Sequence, residues 1–143
     1  MSERIDKMNL FENELFLHFK SREYLYRRDV FSAFLNVVTN MTESKIGYLH
    51  LVNEDAQEIE LAVWSDEVFR QCTTAYASHY PVSEAGIWAE SIRQRRPVLH
   101  NNYQTLSSKM KQGLPEGHFP VSSHLGIPVF SSEKIVAVLG IGN

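Results

Sequence analysis

Two runs of β-prone residues in the first half of the chain constrain its fold most. They span 46–52 and 58–64, and a short polar turn separates them. In the second run Ile59, Leu61 and Val63 alternate with polar or small residues, which is typical of a strand with one buried face. The two runs therefore predict an antiparallel hairpin.

A similar pattern recurs at the other end of the chain. Residues 123–130 and 134–141 are strand-like runs on either side of a polar turn, and 97–100 has the pattern of a short strand. Hairpins near both ends favour an antiparallel sheet, and a strict alternation of strands and helices is missing. The sequence therefore predicts an α+β fold, a sheet flanked by helices, and disfavours a doubly wound nucleotide-binding fold.

Apolar residues at helical spacing predict the helices. The first spans 6–26 and is apolar on two sides, and the second begins near Asp29 with the periodicity of one buried face. A third begins at Ser65 or Asp66, and a fourth begins at Ser83, which is a good capping residue.

The N-terminal helix is expected to lie outside the main domain. Residues 1–28 are predicted to serve dimerisation or to act as a linker, and 29–143 to form the domain. A helix that is apolar on two sides needs two partners, and the candidates are its own domain and a second subunit. Because the chain ends directly after a strand at 142–143, we expect a terminal helix to be truncated and an output domain to follow in a longer protein.

Composition and charge disfavour several classes of protein. The chain has 143 residues and a formal net charge of -3, so it has no basic field for phosphate backbones, and nucleic-acid binding is not expected. No apolar run approaches the roughly 20 residues of a membrane span. The one cysteine, Cys72, cannot form an internal disulfide. We therefore expect a cytoplasmic domain without direct membrane insertion.

Several stretches of the sequence resemble GAF domains. The resemblance covers roughly residues 29–143 and is most similar to a subfamily found in bacterial and archaeal sensor histidine kinases and diguanylate cyclases. The stretches that carry it are 47–55, 79–81 with 85–90, 96–103, 113–118 and 136–143.

The resemblance implies a six-stranded antiparallel sheet with a ligand pocket on one face. The connection between the middle strands would roof this pocket, and flanking helices would form a homodimer. It also implies a sensory function, in which a small ligand regulates a downstream kinase or cyclase module. Many relatives have Asp where this chain has Asn102, which makes a cationic ligand less expected here.

The long segment 101–120 is the first candidate for function, because ordered domains rarely keep such a segment unless it forms a lid or a binding loop. We predict a pocket roof at 113–120 and a mobile stretch at 105–112. The helix expected at Ser83 is the second candidate, since its N-terminus would favour an anionic or carbonyl-bearing ligand. Gly86 would either let that ligand approach the backbone or permit close packing.

Aromatic residues and histidines complete the predicted pocket. The two tryptophans are either pocket walls or core residues, and the histidines show no metal-ligand spacing, so no metal site is predicted. The residues predicted to line the pocket are His50, Trp64, His79, Gly86, Trp88, His100, Tyr103 and His118.

The cofactor is unknown from sequence, and haem is an alternative. Cys72, with His118 or His79 as a second axial ligand, could hold haem in a redox or gas sensor. A ligand-free dimerisation module is a further alternative.

Catalysis is not expected. Turnover by thiol–disulfide exchange needs a second cysteine besides Cys72. Hydrolase and phosphate-loop motifs are missing. Bilin attachment in related domains usually needs a His after the Cys, where this chain has Thr73. The patterns of cyclic-nucleotide-binding GAF domains are missing too.

Overall fold

The computed structural model describes residues 21–71, 79–114 and 120–143, together with positions 9, 10, 12, 13, 15 and 17 near the N-terminus. Within these residues, six strands form one sheet in the order β3-β2-β1-β6-β5-β4, and every neighbouring pair is antiparallel. The predicted α+β class with an antiparallel sheet is confirmed. The strands are β1 (Ile46–Val52), β2 (Glu58–Trp64), β3 (His79–Pro81), β4 (Val98–His100), β5 (His124–Ser131) and β6 (Lys134–Gly142).

Besides the helical positions near the N-terminus, three α-helices and several short 3-10 turns accompany the sheet in the described part of the chain. Among the described residues, no helix is both long and apolar enough to cross a membrane. The helices are α1 (Arg27–Met41), α2 (Asp66–Gln71) and α3 (Glu90–Gln94), and the 3-10 turns are Val82–Glu84, Ile87–Ala89, Tyr103–Thr105 and Ser108–Lys111.

Helix α1 covers one face of the sheet, which we call the outer face. Its buried Leu35 and Val38 pack against a cluster that includes Leu49, Val63 and Leu139 on the central strands. The alternation of side chains along a strand puts these residues on one face and their neighbours on the other. Leu35 and Val38 therefore lie on the buried face that the helical periodicity predicted for α1.

The opposite, inner face carries the larger cluster of buried residues. Tyr48 on β1 is fully buried there. Its ring lies over Gly140 on β6, where a Cβ would overlap the ring carbons Cζ and Cε1. Glycine is needed at this position because a bulky side chain crosses the strand, and this packing fixes the place of the Tyr48 ring on the sheet.

The predicted helix 6–26 is wrong at its C-terminal end. Positions 9, 10, 12, 13, 15 and 17 are helical, but residues 21–26 are not. Tyr26 is extended and is the residue before α1, which begins at Arg27 and has no side-chain cap, so Asp29 lies in the first turn instead of capping it. An extended residue at this position cannot continue a helix, and the two predicted helices are therefore separated.

Candidate functional site

Aromatic rings and histidines cluster on the inner face around Tyr48. The His50 ring lies 4.6 Å from the Tyr48 ring, and the Trp88 ring lies 5.7 Å from it, edge to face. Trp88 also contacts His124, with the ring centroids 4.9 Å apart, and Tyr103. These residues come from β1, β5 and the segments on either side of α3 and β4. The fold therefore brings together groups that are far apart in the sequence.

A buried hydrogen bond links two members of this cluster. The Tyr48 hydroxyl and His124 Nε2 are 2.8 Å apart, and both side chains are at most 2% exposed. A phenol is a stronger acid than a neutral imidazole, so we assign Tyr48 as the donor and Nε2 as the acceptor. The imidazole proton of His124 then resides on Nδ1.

Burial keeps the histidines of this cluster neutral. Desolvation lowers the pKa of His50 from 6.5 to about 3. It lowers the pKa of His124 to about 3 as well, with added repulsion from His100 and His50. The pKa of the half-buried His100 is also lowered by desolvation, partly offset by Glu90. The inner face is thus lined by uncharged hydrogen-bonding groups at neutral pH.

The segment 103–114 lies over the cluster, and we call it the roof. Its partly buried Leu106, Met110 and Leu114 pack against the inner-face cluster. Gly113 has a φ of 82°, and a Cβ there would lie 3.2 Å from Trp88 Cδ1, so the turn brings the backbone close to the indole. The stretch 105–112 contains the 3-10 turn Ser108–Lys111, and its mobility stays a prediction. Most of the roof predicted at 113–120 lies outside the described residues.

The helix predicted to begin at Ser83 is wrong. Two 3-10 turns, Val82–Glu84 and Ile87–Ala89, precede α3, whose first residue is Glu90. The chain is extended at Ala85 between them, because the Gly86 amide donates to Gln112 O at 3.1 Å instead of continuing a helix. An anion site at a helix N-terminus near Ser83 is therefore not formed.

Arg93 holds this broken segment in place. Its guanidinium donates to the carbonyl oxygens of Val82, Ala85 and Gly86 and forms an ion pair with Glu90 at 2.9 Å. The donors of one guanidinium thus satisfy three carbonyls that a continuous helix would have satisfied internally, and they also bind the Glu90 carboxylate. Arg93 thus supplies hydrogen bonds that a continuous helix would have made, and its guanidinium is already bound to other groups of the protein.

An open cleft of about 220 Å³ lies where the roof meets this segment. Gly86 lines it, but a Cβ at Gly86 would overlap the carbonyl of Met110, so the glycine is required for close packing of the roof. This favours the packing explanation for Gly86. The other lining residues are Ser83, Glu90, Arg93, Lys109, Met110 and Gln112.

The structure brings together most of the predicted pocket residues that it describes. Trp88 and Tyr103 are 4% exposed and His50 is 3% exposed, all on the inner face, while Trp64 is half-buried with its ring 5.8 Å from that of Tyr48. His100 ends β4 with its ring 6.1 Å from that of His124, whereas Gly86 lies at the cleft. Their roles in binding stay predictions.

Other predicted site residues lie outside the described residues. These are Cys72, His118 and the side chain of His79, so the predicted haem ligands stay predictions.

Sequence reasoning missed Tyr48, Ser91 and His124 as members of this site. The alternation of β1 could have placed Tyr48 beside His50, since residues two apart in a strand share a face. No pattern in the sequence indicated Ser91 or His124. Ser91 lies on a helix of only five residues, and His124 lies in a strand that pairs with β4 only opposite Val98, Leu99 and His100.

The fold is thus an α+β domain with a helix on one sheet face and a roofed aromatic–histidine cluster on the other. A family model described as a GAF domain matches residues 27–143, and the chain belongs to that family. The resemblance to GAF domains is confirmed. The histidine-kinase or diguanylate-cyclase subfamily stays a prediction.

A curated relative is a methyl sulfide methyltransferase-associated sensor from Methanosarcina acetivorans. It is 38% identical over 104 residues, which make up 72% of this chain and 10% of that protein. The chain therefore spans about a tenth of the length of this relative.

Solved structures share the fold at low identity. The GAF domain of an Acinetobacter phosphoenolpyruvate-protein phosphotransferase has a TM-score of 0.71 and 18% identity, and the match covers 100% of this chain and 78% of that chain. A free methionine-R-sulfoxide reductase from Neisseria meningitidis, solved with its substrate, has a TM-score of 0.64 and 13% identity over 96% of this chain and 75% of that one. At these identities the likeness shows the fold alone.

Proposed function

We propose that this GAF domain is a sensory module that binds a small molecule between the inner face and the roof. The observation that carries the proposal is the cluster of buried, neutral polar side chains around Tyr48 beneath the roof. Burying polar side chains costs free energy, and small-molecule sites are typically apolar pockets into which a few polar groups converge. The GAF family and the sensor relative support a regulatory role.

The roof is attached to the rest of the domain near both of its ends. Gly86 donates to Gln112 O at 3.1 Å and Tyr103 donates to Ser122 O at 2.9 Å, so backbone hydrogen bonds fasten it at both ends. A ligand that binds better to one position of the roof would shift the population toward that position. The cleft beside Gly86 is the route of entry that we propose.

Strand β1 offers a path from this site to the outer face. Tyr48 points to the inner face, while Leu49 packs with α1 and Gly47 lies directly beneath Thr39 of α1. A ligand that moves Tyr48 would therefore disturb the contact between β1 and α1. We propose that α1 relays this change to the N-terminal helix of a homodimer and to a kinase or cyclase output module in the same chain, located in the cytoplasm.

Ligand binding is expected to raise the thermal midpoint of the domain. A ligand at 100 times its dissociation constant adds about 2.7 kcal/mol, or roughly 8 °C for a domain of this size. The measurement is a melt with a panel of metabolites, with haem included and its Soret absorbance recorded. Gly86→Ala is the control, because it displaces the roof at Met110 and is expected to abolish the shift.

The competing candidate is a dimerisation module without a ligand. Exposed apolar side chains in the N-terminal segment favour it, since Leu10 is 55%, Leu17 is 60% and Leu25 is 86% exposed. If this candidate is correct, no compound, haem included, changes the thermal midpoint of the unaltered chain. A shift that is equal in the unaltered chain and in Gly86→Ala would instead place binding away from the roof.

A further inference from the structure

One corner of the inner face has polar side chains with unused hydrogen-bonding atoms. Ser91 on α3 is 1% exposed and His124 at the start of β5 is 2% exposed. Ser91 Oγ and His124 Nδ1 are buried and have no hydrogen-bond partner among the described residues, and the same holds for Nδ1 of the neighbouring His100. Buried polar atoms in native structures nearly always have partners, so an additional group is expected here.

The two buried side chains face the same space above Gly126 on β5. A Cβ at Gly126 would lie 3.2 Å from Ser91 Oγ and 3.3 Å from His124 Cε1, the ring carbon bonded to Nδ1. His100 is the strand partner of His124 on β4 and lies at the edge of this space. Gly126 therefore places no side chain between these two groups, and a methyl group there would press against both of them.

The corner offers donors of hydrogen bonds. Because Tyr48 donates to Nε2 of His124, the ring proton is on Nδ1 and is available for donation. The Ser91 hydroxyl is a second donor. The carboxylate of Glu90, the residue before Ser91, accepts from Arg93 and Gln94 and is already occupied.

We infer that the corner formed by Ser91, His124 and Gly126 binds an acceptor oxygen of the ligand, in a carboxylate or carbonyl group. The inference rests on the proposed function and names the chemical group by which the sensed molecule is held. An oxygen in this space meets two donors that the protein leaves unused. A cationic amine could donate to the Ser91 hydroxyl oxygen, but it would leave the Nδ1–H of His124 without an acceptor, so it is disfavoured.

Small probes test the corner directly. The full chain is titrated with formate, acetamide and methylammonium while the Gly126 amide and the His124 imidazole nitrogens are followed by NMR. Formate and acetamide are expected to give saturable shifts with dissociation constants in roughly the millimolar range, near the limit for ligands of so few atoms. Tighter binding of formate would identify a carboxylate, and equal binding would identify a neutral carbonyl.

Two variants assign the shifts to the corner. Gly126→Ala fills the space and is expected to weaken the binding of both probes about tenfold, and Ser91→Ala removes one donor and is expected to weaken it several-fold. Ser131→Ala, at the exposed far end of β5, is the matched serine control and should leave both constants unchanged. Saturable binding of methylammonium, absence of binding by formate and acetamide, or constants unaffected by Gly126→Ala and Ser91→Ala would each overturn the inference.

The outcome is separable from the test of the proposed function. A ligand held only by the aromatic rings would raise the thermal midpoint while formate and acetamide failed to bind, which would overturn only the corner. Binding of formate with no midpoint shift from any metabolite would support the corner and count against the sensor.

Discussion

Replacing Gly140 with alanine is expected to cause the largest loss of stability of any glycine-to-alanine change at the glycines that the structure describes. A Cβ at Gly140 would overlap the ring and hydroxyl of Tyr48, which is fully buried between the sheet and Trp88. The ring has to leave its site or the strands have to separate. We expect the free energy of unfolding to fall by at least about 3 kcal/mol, at the upper end for overpacked cores. Urea unfolding measures it.

Two further variants show whether the clash with Tyr48 is the cause. Gly126→Ala on the neighbouring strand is the matched control, because its Cβ would come no closer than 3.2 Å to any neighbour, and its cost is expected to be about 1 kcal/mol or less. Tyr48→Leu combined with Gly140→Ala should cost clearly less than the sum of the two single variants, since the shorter side chain removes the overlap. Strict additivity would contradict this explanation.

The sequence predicted the sheet well because strands and their turns are local. The run 46–52 alternates between a face that meets α1 and a face that meets Trp88, and its partner 58–64 begins and ends where the pattern indicates. Hairpins need only a short turn and a shared periodicity, so they can be located without knowledge of the tertiary structure. The same reasoning located α1, whose buried face follows the helical period.

The segment between β3 and β4 could not be predicted in this way. The spacing of Ala85, Trp88 and Ile92 is that of one helix, yet the chain is broken at Gly86. The break depends on two long-range interactions, the hydrogen bond from Gly86 to Gln112 and the contacts of Arg93 with the carbonyls. Tertiary contacts of this kind override local propensity and leave no periodic signal.

Several aromatic and histidine members of the site were predictable, but Tyr48 and the polar corner were not. Trp88, His50 and Tyr103 were identified because large or titratable side chains are few and conspicuous in the sequence. Ser91 and His124 became relevant only when β5 paired with β4 and α3 packed against β5 at Gly126. A buried serine leaves no periodic signal in the sequence. Only the structure shows that the Ser91 hydroxyl has no partner among the described residues.

Acidification is expected to destabilise the domain over a defined range of pH. The pKa of both His50 and His124 falls to about 3 in the folded protein, against 6.5 in the unfolded chain. Neutral imidazole is favoured in the folded state, so this stability is fully present above about pH 6.5 and is lost as the pH falls toward 3. Between pH 7 and pH 5 the pair is expected to remove about 4 kcal/mol from the free energy of unfolding.

Urea unfolding at several pH values between 7.5 and 5 measures this slope, and single variants divide it between the two residues. His50→Gln removes one titrating group and should reduce the slope by about half, because each lowered pKa contributes up to about 1.4 kcal/mol per pH unit. Lys109→Gln, on the exposed surface of the roof, is the control and should leave the slope unchanged. A slope that persists in full in His50→Gln would mean that His50 is solvated and charged in the folded state. The inner face would then be open to water, and the closed roof over the cluster would be wrong.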